Sequence, residues 1–264
     1  MASSLNSSRQ QVNYSPQIAV RGLTKLFLGH ALYSEFDLTI LKNKITCIFG
    51  PNGCGKSTLL NMIAGLIKPD SGEILFEGKG IDKVKIGYVF QNYREALFPW
   101  LRAFENIEYP LKITGLAKQD RYQKVQTLVE SFDIKINLSK YPYQLSGGQQ
   151  QLVSIMRALV TQPEVLFLDE PFSALDYETT LFIRDKLQDI FQASQISMVM
   201  VSHDLEEAVY MADRVLLLTK APTRVADEVD FFCPRPRTFE TLSTSEFISV
   251  KSHCLEVFQR EVRR

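Results

Sequence analysis

The sequence predicts an α/β fold with a mixed sheet, an antiparallel β subdomain and an inserted α-helical subdomain. Three observations predict it. Gly50-Pro51-Asn52-Gly53-Cys54-Gly55-Lys56-Ser57-Thr58 reads G-x-x-x-x-G-K-[ST], the spacing of a phosphate-binding P-loop. From residue 164 onward, short apolar strands alternate with helices, the pattern of parallel βαβ units. Between the two, from about 92 to 160, the chain reads as successive helices, a block set into the α/β frame.

Taken in order, residues 1–16 are rich in Ser, Asn and Gln and lack the apolar run of a secretory signal, so they read as a flexible tail. Ile18 to Phe27 and Leu32 to Leu41 are strands about a Gly29-His30 turn. Lys44 to Phe49 is a short β-branched strand, and Leu59 to Ala64 has helical spacing, so the loop has the strand–loop–helix context it needs. Its glycines let successive backbone N–H groups converge on an anion, and the helix N-terminus adds positive dipole. Lys56 would reach the β- and γ-phosphates, and the Ser57 hydroxyl suits Mg²⁺. Lys68 to Gly72 is a dense turn signal, followed by strands at Glu73 to Phe76 and Lys85 to Phe90. Ala103 to Ile113, Gln119 to Phe132 and Gly147 to Val160 suit helices. Then come a strand (Glu164 to Leu168), a long helix (Leu175 to Ala193), a strand (Ser197 to Val201), a helix (Leu205 to Met211) and a strand (Val215 to Thr219). These bound a nucleotide-binding domain at 17–220. Pro222, Pro234 and Pro236 mark a looser extension, 221–264. It ends in a helix from about Ser245 to Arg260, with Phe247, Val250, Cys254, Val257 and Phe258 on one face.

Composition narrows the function classes. At 264 residues and 45% hydrophobic, the chain can bury a full core. Its 30 basic and 30 acidic residues cancel, so no global field calls for nucleic acid. No apolar run approaches a membrane span. Cys47, Cys54, Cys233 and Cys254 have no C-x-x-C spacing and read as cytosolic thiols rather than a metal site or disulfides.

Two further motifs carry chemistry. Val165 to Leu168 is an apolar strand that runs into Asp169-Glu170, two carboxylates at the edge where parallel sheets bind ligands. Asp169 suits Mg²⁺, and Glu170, on the opposite side, suits polarising an attacking water. Leu145-Ser146-Gly147-Gly148-Gln149 precedes a helix, and Ser146 with Gln149 forms an S-x-x-Q capping box. A capping box does not require two adjacent glycines, which bare the backbone N–H groups of a second anion site. With a P-loop already in the chain, that site would most simply serve another subunit's nucleotide.

With these motifs, residues 18–219 resemble the ATP-binding cassette (ABC) proteins, the motor subunits of membrane transporters. Leu145 to Gln149 matches the family's signature sequence. Phe90-Gln91, Ser173-Ala174-Leu175-Asp176 and His203 before Asp204 complete six motifs in family order. The resemblance implies ATP and Mg²⁺ as ligands. It implies that Gln91 touches Mg²⁺ and the lytic water, that His203 contacts the γ-phosphate, and that Glu170 is the general base. Ser146, Gly147, Gly148 and Gln149 would close over the partner subunit's nucleotide, with Asp176 linking the two sites. Phe27 falls where the family stacks an aromatic on adenine, with Tyr33 as the alternative. The chain departs from many relatives just after the signature, where Gln151-Leu152-Val153 lacks an expected Arg. Leu97-Phe98-Pro99-Trp100, together with Pro234-Arg235-Pro236-Arg237, looks like importers of nitrate, sulfonate, taurine or bicarbonate. By resemblance the partners are transmembrane permease subunits, a second ATPase subunit and a separate substrate-binding protein, at the cytoplasmic face of the membrane. An exporter or lipid-transporter ATPase, or a soluble non-transport cassette, is the alternative. Cys54, inside the phosphate loop, is expected to react with thiol reagents and to be protected by ATP.

Overall fold

The computed structural model describes residues 15–133, 136–173, 175–194 and 196–263. Nearly all of the segment read as a tail, and Ala174 of the motif at 173–176, lie outside them. Strands β1 (Pro16–Phe27) and β2 (His30–Leu41) form a hairpin. Leu28 and Gly29 turn it with φ of 50° and 82°. After β3 (Ile45–Phe49) and α1 (Lys56–Ile63), β4 (Ser71–Phe76) adds to β1, giving a three-stranded antiparallel sheet in the order β2-β1-β4. Next come β5 (Ile86–Val89), a single turn α2 (Tyr93–Ala96), α3 (Ala103–Ile113), α4 (Lys118–Ser131) and α5 (Gly147–Leu159). The rest is β6 (Val165–Asp169), α6 (Tyr177–Ser194), β7 (Ser197–Val201), α7 (Leu205–Met211), β8 (Arg214–Leu218), β9 (Val225–Asp230) and α8 (Ser245–Arg263).

The main sheet has six strands in the order β5-β6-β7-β3-β8-β9, parallel except for the last pair. Alternation along each strand divides the core. Ile48, Val165, Phe167, Val199, Val201, Leu216 and Leu218 face α1 and the antiparallel sheet. Cys47, Leu166, Leu168, Met198, Met200, Val215 and Leu217 face the helices α3, α5, α6, α7 and α8. Both faces are covered, which is why these strands read as unbroken apolar runs.

β9 was not expected. Its sequence, Val-Ala-Asp-Glu-Val-Asp, is too acidic to read as a strand. Arg214 on β8 supplies the cation, holding Asp230 at 2.6 Å and Glu228 at 3.0 Å across the antiparallel pair. Leu152, in the stretch where the family resemblance led us to expect an Arg, is buried among the helices. The neighbouring Gln151 Nε2 donates to Pro171 O at 2.6 Å, fastening α5 to the turn after Glu170.

Candidate nucleotide site

The site gathers at the C-terminal ends of β3, β6 and β7, the edge where parallel sheets open toward ligands. The phosphate loop leaves β3 and curls through Gly53 and Gly55 at φ of 78° and 94°. A Cβ on Gly55 would lie 2.8 Å from Leu32 Cδ2, so glycine is required there on two counts. Lys56 is buried and its Nζ donates to Gly50 O at 2.9 Å and Pro51 O at 3.1 Å, within the loop's own curl. Two residues support the loop from below. Thr223 Oγ1 donates to Cys54 O at 2.7 Å, and Tyr33 Oη donates to Gly55 O at 3.1 Å. Tyr33 is fully buried, which removes it as the aromatic for a base to stack on. Phe27 is 48% exposed at the hairpin end, with Lys25 Nζ 5.6 Å from its ring centroid.

Cys54 corrects an expectation. Its side chain is 1% exposed and packs in the core beneath the loop, so only its backbone can face a phosphate. Burial pushes its thiol up, against the pull of Lys56, and so starves it of the reactive thiolate. Iodoacetamide is therefore expected to label the half-buried Cys233 well before Cys54 in the native protein, by peptide mass spectrometry. Labelling of Cys54 at the rate of a surface thiol would refute this placement.

Ser57 Oγ donates to Asp169 Oδ1 at 2.9 Å, joining α1 to the end of β6. Burial pushes the Asp169 carboxyl up, with the Ser57 hydrogen bond opposing and the Glu170 charge adding. Hydroxyl and carboxylate together form the hard-oxygen donor pair that Mg²⁺ takes. Glu170 follows at φ 47°, a conformation that costs a non-glycine residue about 1–3 kcal/mol and clusters at working sites. Its N–H is held by Val201 O at 3.0 Å, at the end of β7. Its Oε2 accepts from Gln91 Nε2 at 2.9 Å and lies 3.1 Å from His203 Nδ1. Three side chains from three strand ends thus meet on one carboxylate oxygen.

The signature loop is built separately. Ser146 caps α5 by accepting from Gln149 N at 3.3 Å, while Gln149 Oε1 accepts from Ser146 N at 3.2 Å. The close neighbours of its glycines are Tyr93, Arg94 and Thr179, not the phosphate loop. Gly148 also has a packing cause that sequence reasoning missed, since a Cβ there would lie 2.3 Å from Thr179 Cγ2. Thr179 is in turn held by Asp176, which caps α6 by accepting from its N–H at 2.9 Å and its hydroxyl at 2.7 Å. Those two bonds hold the Asp176 carboxyl below the usual range.

A family model described as ABC transporter matches residues 33–173. An aliphatic sulfonates import ATP-binding protein of Bacillus licheniformis is 38% identical over 81% of this chain and 84% of its own length. A spermidine/putrescine import ATP-binding protein of Thermotoga maritima is 39% identical over 77% of this chain and 56% of its own. A solved ATP-binding cassette, dimeric in a post-hydrolysis state with ADP and Pi, superposes with a TM-score of 0.71 at 29% identity, covering 81% of this chain and 98% of that one. The chain belongs to the ABC transporter family as an ATP-hydrolysing, ATP-binding subunit.

Proposed function

We propose that this chain energises import of a small solute, working as one of two cassettes on a pair of permease subunits at the cytoplasmic face of the membrane. The observation that carries the reading is the meeting of Gln91 and His203 on Glu170, one residue beyond the Ser57–Asp169 pair. The loop N–H groups and Lys56 hold the β- and γ-phosphates of ATP, and Phe27 stacks on adenine. Glu170 takes the proton of the attacking water, Gln91 orients that water, and His203 bonds the γ-phosphate. Mg²⁺, held by Ser57, Asp169 and Gln91, would neutralise charge on the phosphate oxygens. Catalysis is then positioning plus electrostatics. Ser146, Gly147, Gly148 and Gln149 cover the nucleotide of the second cassette, with Asp176 between the two sites.

Import is supported by the named roles of the sulfonate and polyamine relatives. Those two solutes carry opposite charge, and it is the resemblance of Leu97 to Trp100 to importers of nitrate, sulfonate, taurine or bicarbonate that supports the anion side. A separate substrate-binding protein would select the solute. Among the described residues no helix is long and apolar enough to cross a membrane, so attachment runs through the permease.

The docking groove is the aromatic loop after Gln91. Trp100 is 70% exposed, so it is not an internal brace of the helical block. It leans on Phe98 at 5.5 Å between centroids, and Phe98 packs on Tyr109 at 4.7 Å. Buried Asn106 holds the loop, accepting from Phe98 N at 2.9 Å and donating to Phe98 O at 3.1 Å and Leu101 O at 3.0 Å. Trp100→Ala is expected to weaken binding to the permease by about 2 kcal/mol, while basal ATP hydrolysis and melting temperature hold. Co-purification from solubilised membranes with parallel ATPase assays checks this. Equal permease binding by variant and wild type would remove Trp100 from the interface.

A further inference from the structure

We propose that Arg94 is a further phosphate-binding residue: from the turn after Gln91 it brings a guanidinium to the Ser146–Gln149 loop and adds the full positive charge which that loop lacks. The proposal rests on the reading above, in which this loop covers the nucleotide held by the second cassette.

The need follows from the chemistry of the loop. Ser146, Gly147, Gly148 and Gln149 open α5 with a hydroxyl, an amide and backbone N–H groups. All are neutral donors, and the helix dipole adds only partial charge. On the other side of the phosphates, Lys56 supplies a full charge. A hydrogen bond from an ionised donor to phosphate is about twice as strong as one from a neutral donor. A guanidinium also matches phosphate with a planar fork.

The structure brings Arg94 to the loop. A Cβ on Gly147 would lie 3.4 Å from Arg94 Nη2 and 3.0 Å from Tyr93 Oη, so the missing side chain of Gly147 lets both approach. Arg94 is exposed, rests over the Tyr93 ring 5.7 Å from its centroid, and pairs with no carboxylate among the described residues. Tyr93 beneath it is 3% exposed, and its buried hydroxyl has no hydrogen-bond partner among the described residues. Buried polar groups in that state are rare. An unpaired cation, an unpaired hydroxyl and the N-terminus of a 13-residue helix thus meet at one corner. The ligand that fits all three is an anion. In the nucleotide-closed pair the Tyr93 hydroxyl gains its partner there. Gln91, three positions before Arg94, donates to Glu170 at 2.9 Å, so one short turn touches the chain's own site and carries the cation toward the other. The rival occupant is an acidic group of the permease, because Leu97 to Trp100 follow directly, so the decisive experiment omits the permease.

The test uses the full chain in a Glu170→Gln background. Arg94→Ala is expected to raise the ATP concentration for half-maximal pairing at least tenfold by light scattering. Arg94→Lys should recover only part of that loss, and Lys124→Ala, which removes an exposed cation of α4, should match the parent. ATP affinity of the dilute, unpaired chain should stay within twofold for Arg94→Ala. Tyr93→Phe should raise the melting temperature of the nucleotide-free chain by about 2 °C, yet weaken pairing at least threefold. A mixture of Arg94→Ala and Lys56→Ala chains places the cation in trans. At an ATP concentration where neither pairs alone, mixed pairs should retain ATP through gel filtration, because one site escapes both lesions. If the parent pairs with ATP and Arg94→Ala pairs at the same concentration, the assignment is overturned and the paired reading stands. Weakened pairing with no gain in the mixture would also overturn it, placing Arg94 within its own chain. A parent that never pairs with ATP would overturn the shared-nucleotide reading itself.

Discussion

Glu170→Gln is expected to lower ATP turnover by about 10²-fold or more while leaving ATP binding intact. The substitution isolates one property. A glutamine amide has the shape of the carboxylate, and its oxygen can still accept from Gln91, which sits 2.9 Å from Glu170 Oε2. The backbone at φ 47° carries no new burden, because the Cβ is unchanged. Basicity alone is lost. The closed pair should then hold ATP without discharging it, so a nucleotide-loaded dimer should accumulate on size exclusion. His203→Ala removes one contact with the carboxylate but leaves the proton acceptor in place, so it serves as the comparison. Turnover by Glu170→Gln within a few fold of wild type would move the general base elsewhere.

The sequence was legible where a motif is made of neighbours in the chain and illegible where its parts are distant. The phosphate loop, the Asp169-Glu170 strand end and the Ser146–Gln149 cap are contiguous, and each has a local physical reason for its residues. The supports of those motifs are not contiguous. Thr223 reaches Cys54 O across 169 positions, and Tyr33 reaches Gly55 O across 22; neither has a spacing to read. Asn106 left a trace, as an amide on the buried face of α3 beside Ala103, Ile107 and Leu111, since a polar group there must find partners. The face a loop residue turns inward was also unreadable. Cys54 could have faced the phosphate or the core, and the curl through Gly53 and Gly55 sends it to the core. The same holds for Trp100, whose composition suited both a groove and a brace.

Arg237→Ala is expected to cost about 3–5 kcal/mol of stability, the scale of breaking a buried ionic network. In sequence, Pro234-Arg235-Pro236-Arg237 was only a family likeness. In the fold, the Arg237 side chain is 0% exposed. Its Nη1 donates to Val209 O at 3.1 Å, Tyr210 O at 2.8 Å and Ala212 O at 2.8 Å. These are carbonyls at the end of α7, which no further helical turn can satisfy. Its Nη2 donates to Phe231 O at 2.8 Å and approaches Asp213 Oδ1 at 3.4 Å. Burial brings its pKa down to about 10, with Arg235 adding to the fall and Asp213 resisting it. Asp213 in turn accepts from Ile45 N at 2.9 Å, at the start of the strand that delivers the phosphate loop. One guanidinium therefore ties the C-terminal segment to the helix that follows His203 and, through Asp213, to β3. Alanine would leave the α7 carbonyls without donors and a void the size of the side chain. Arg237→Lys should recover only part of the loss, because an ammonium cannot reproduce the planar fork. Urea and thermal unfolding measure both, with exposed Arg260→Ala expected to stay within about 0.5 kcal/mol of wild type. A loss below about 1 kcal/mol for Arg237→Ala would show that the C-terminal segment packs beside the nucleotide core without holding it.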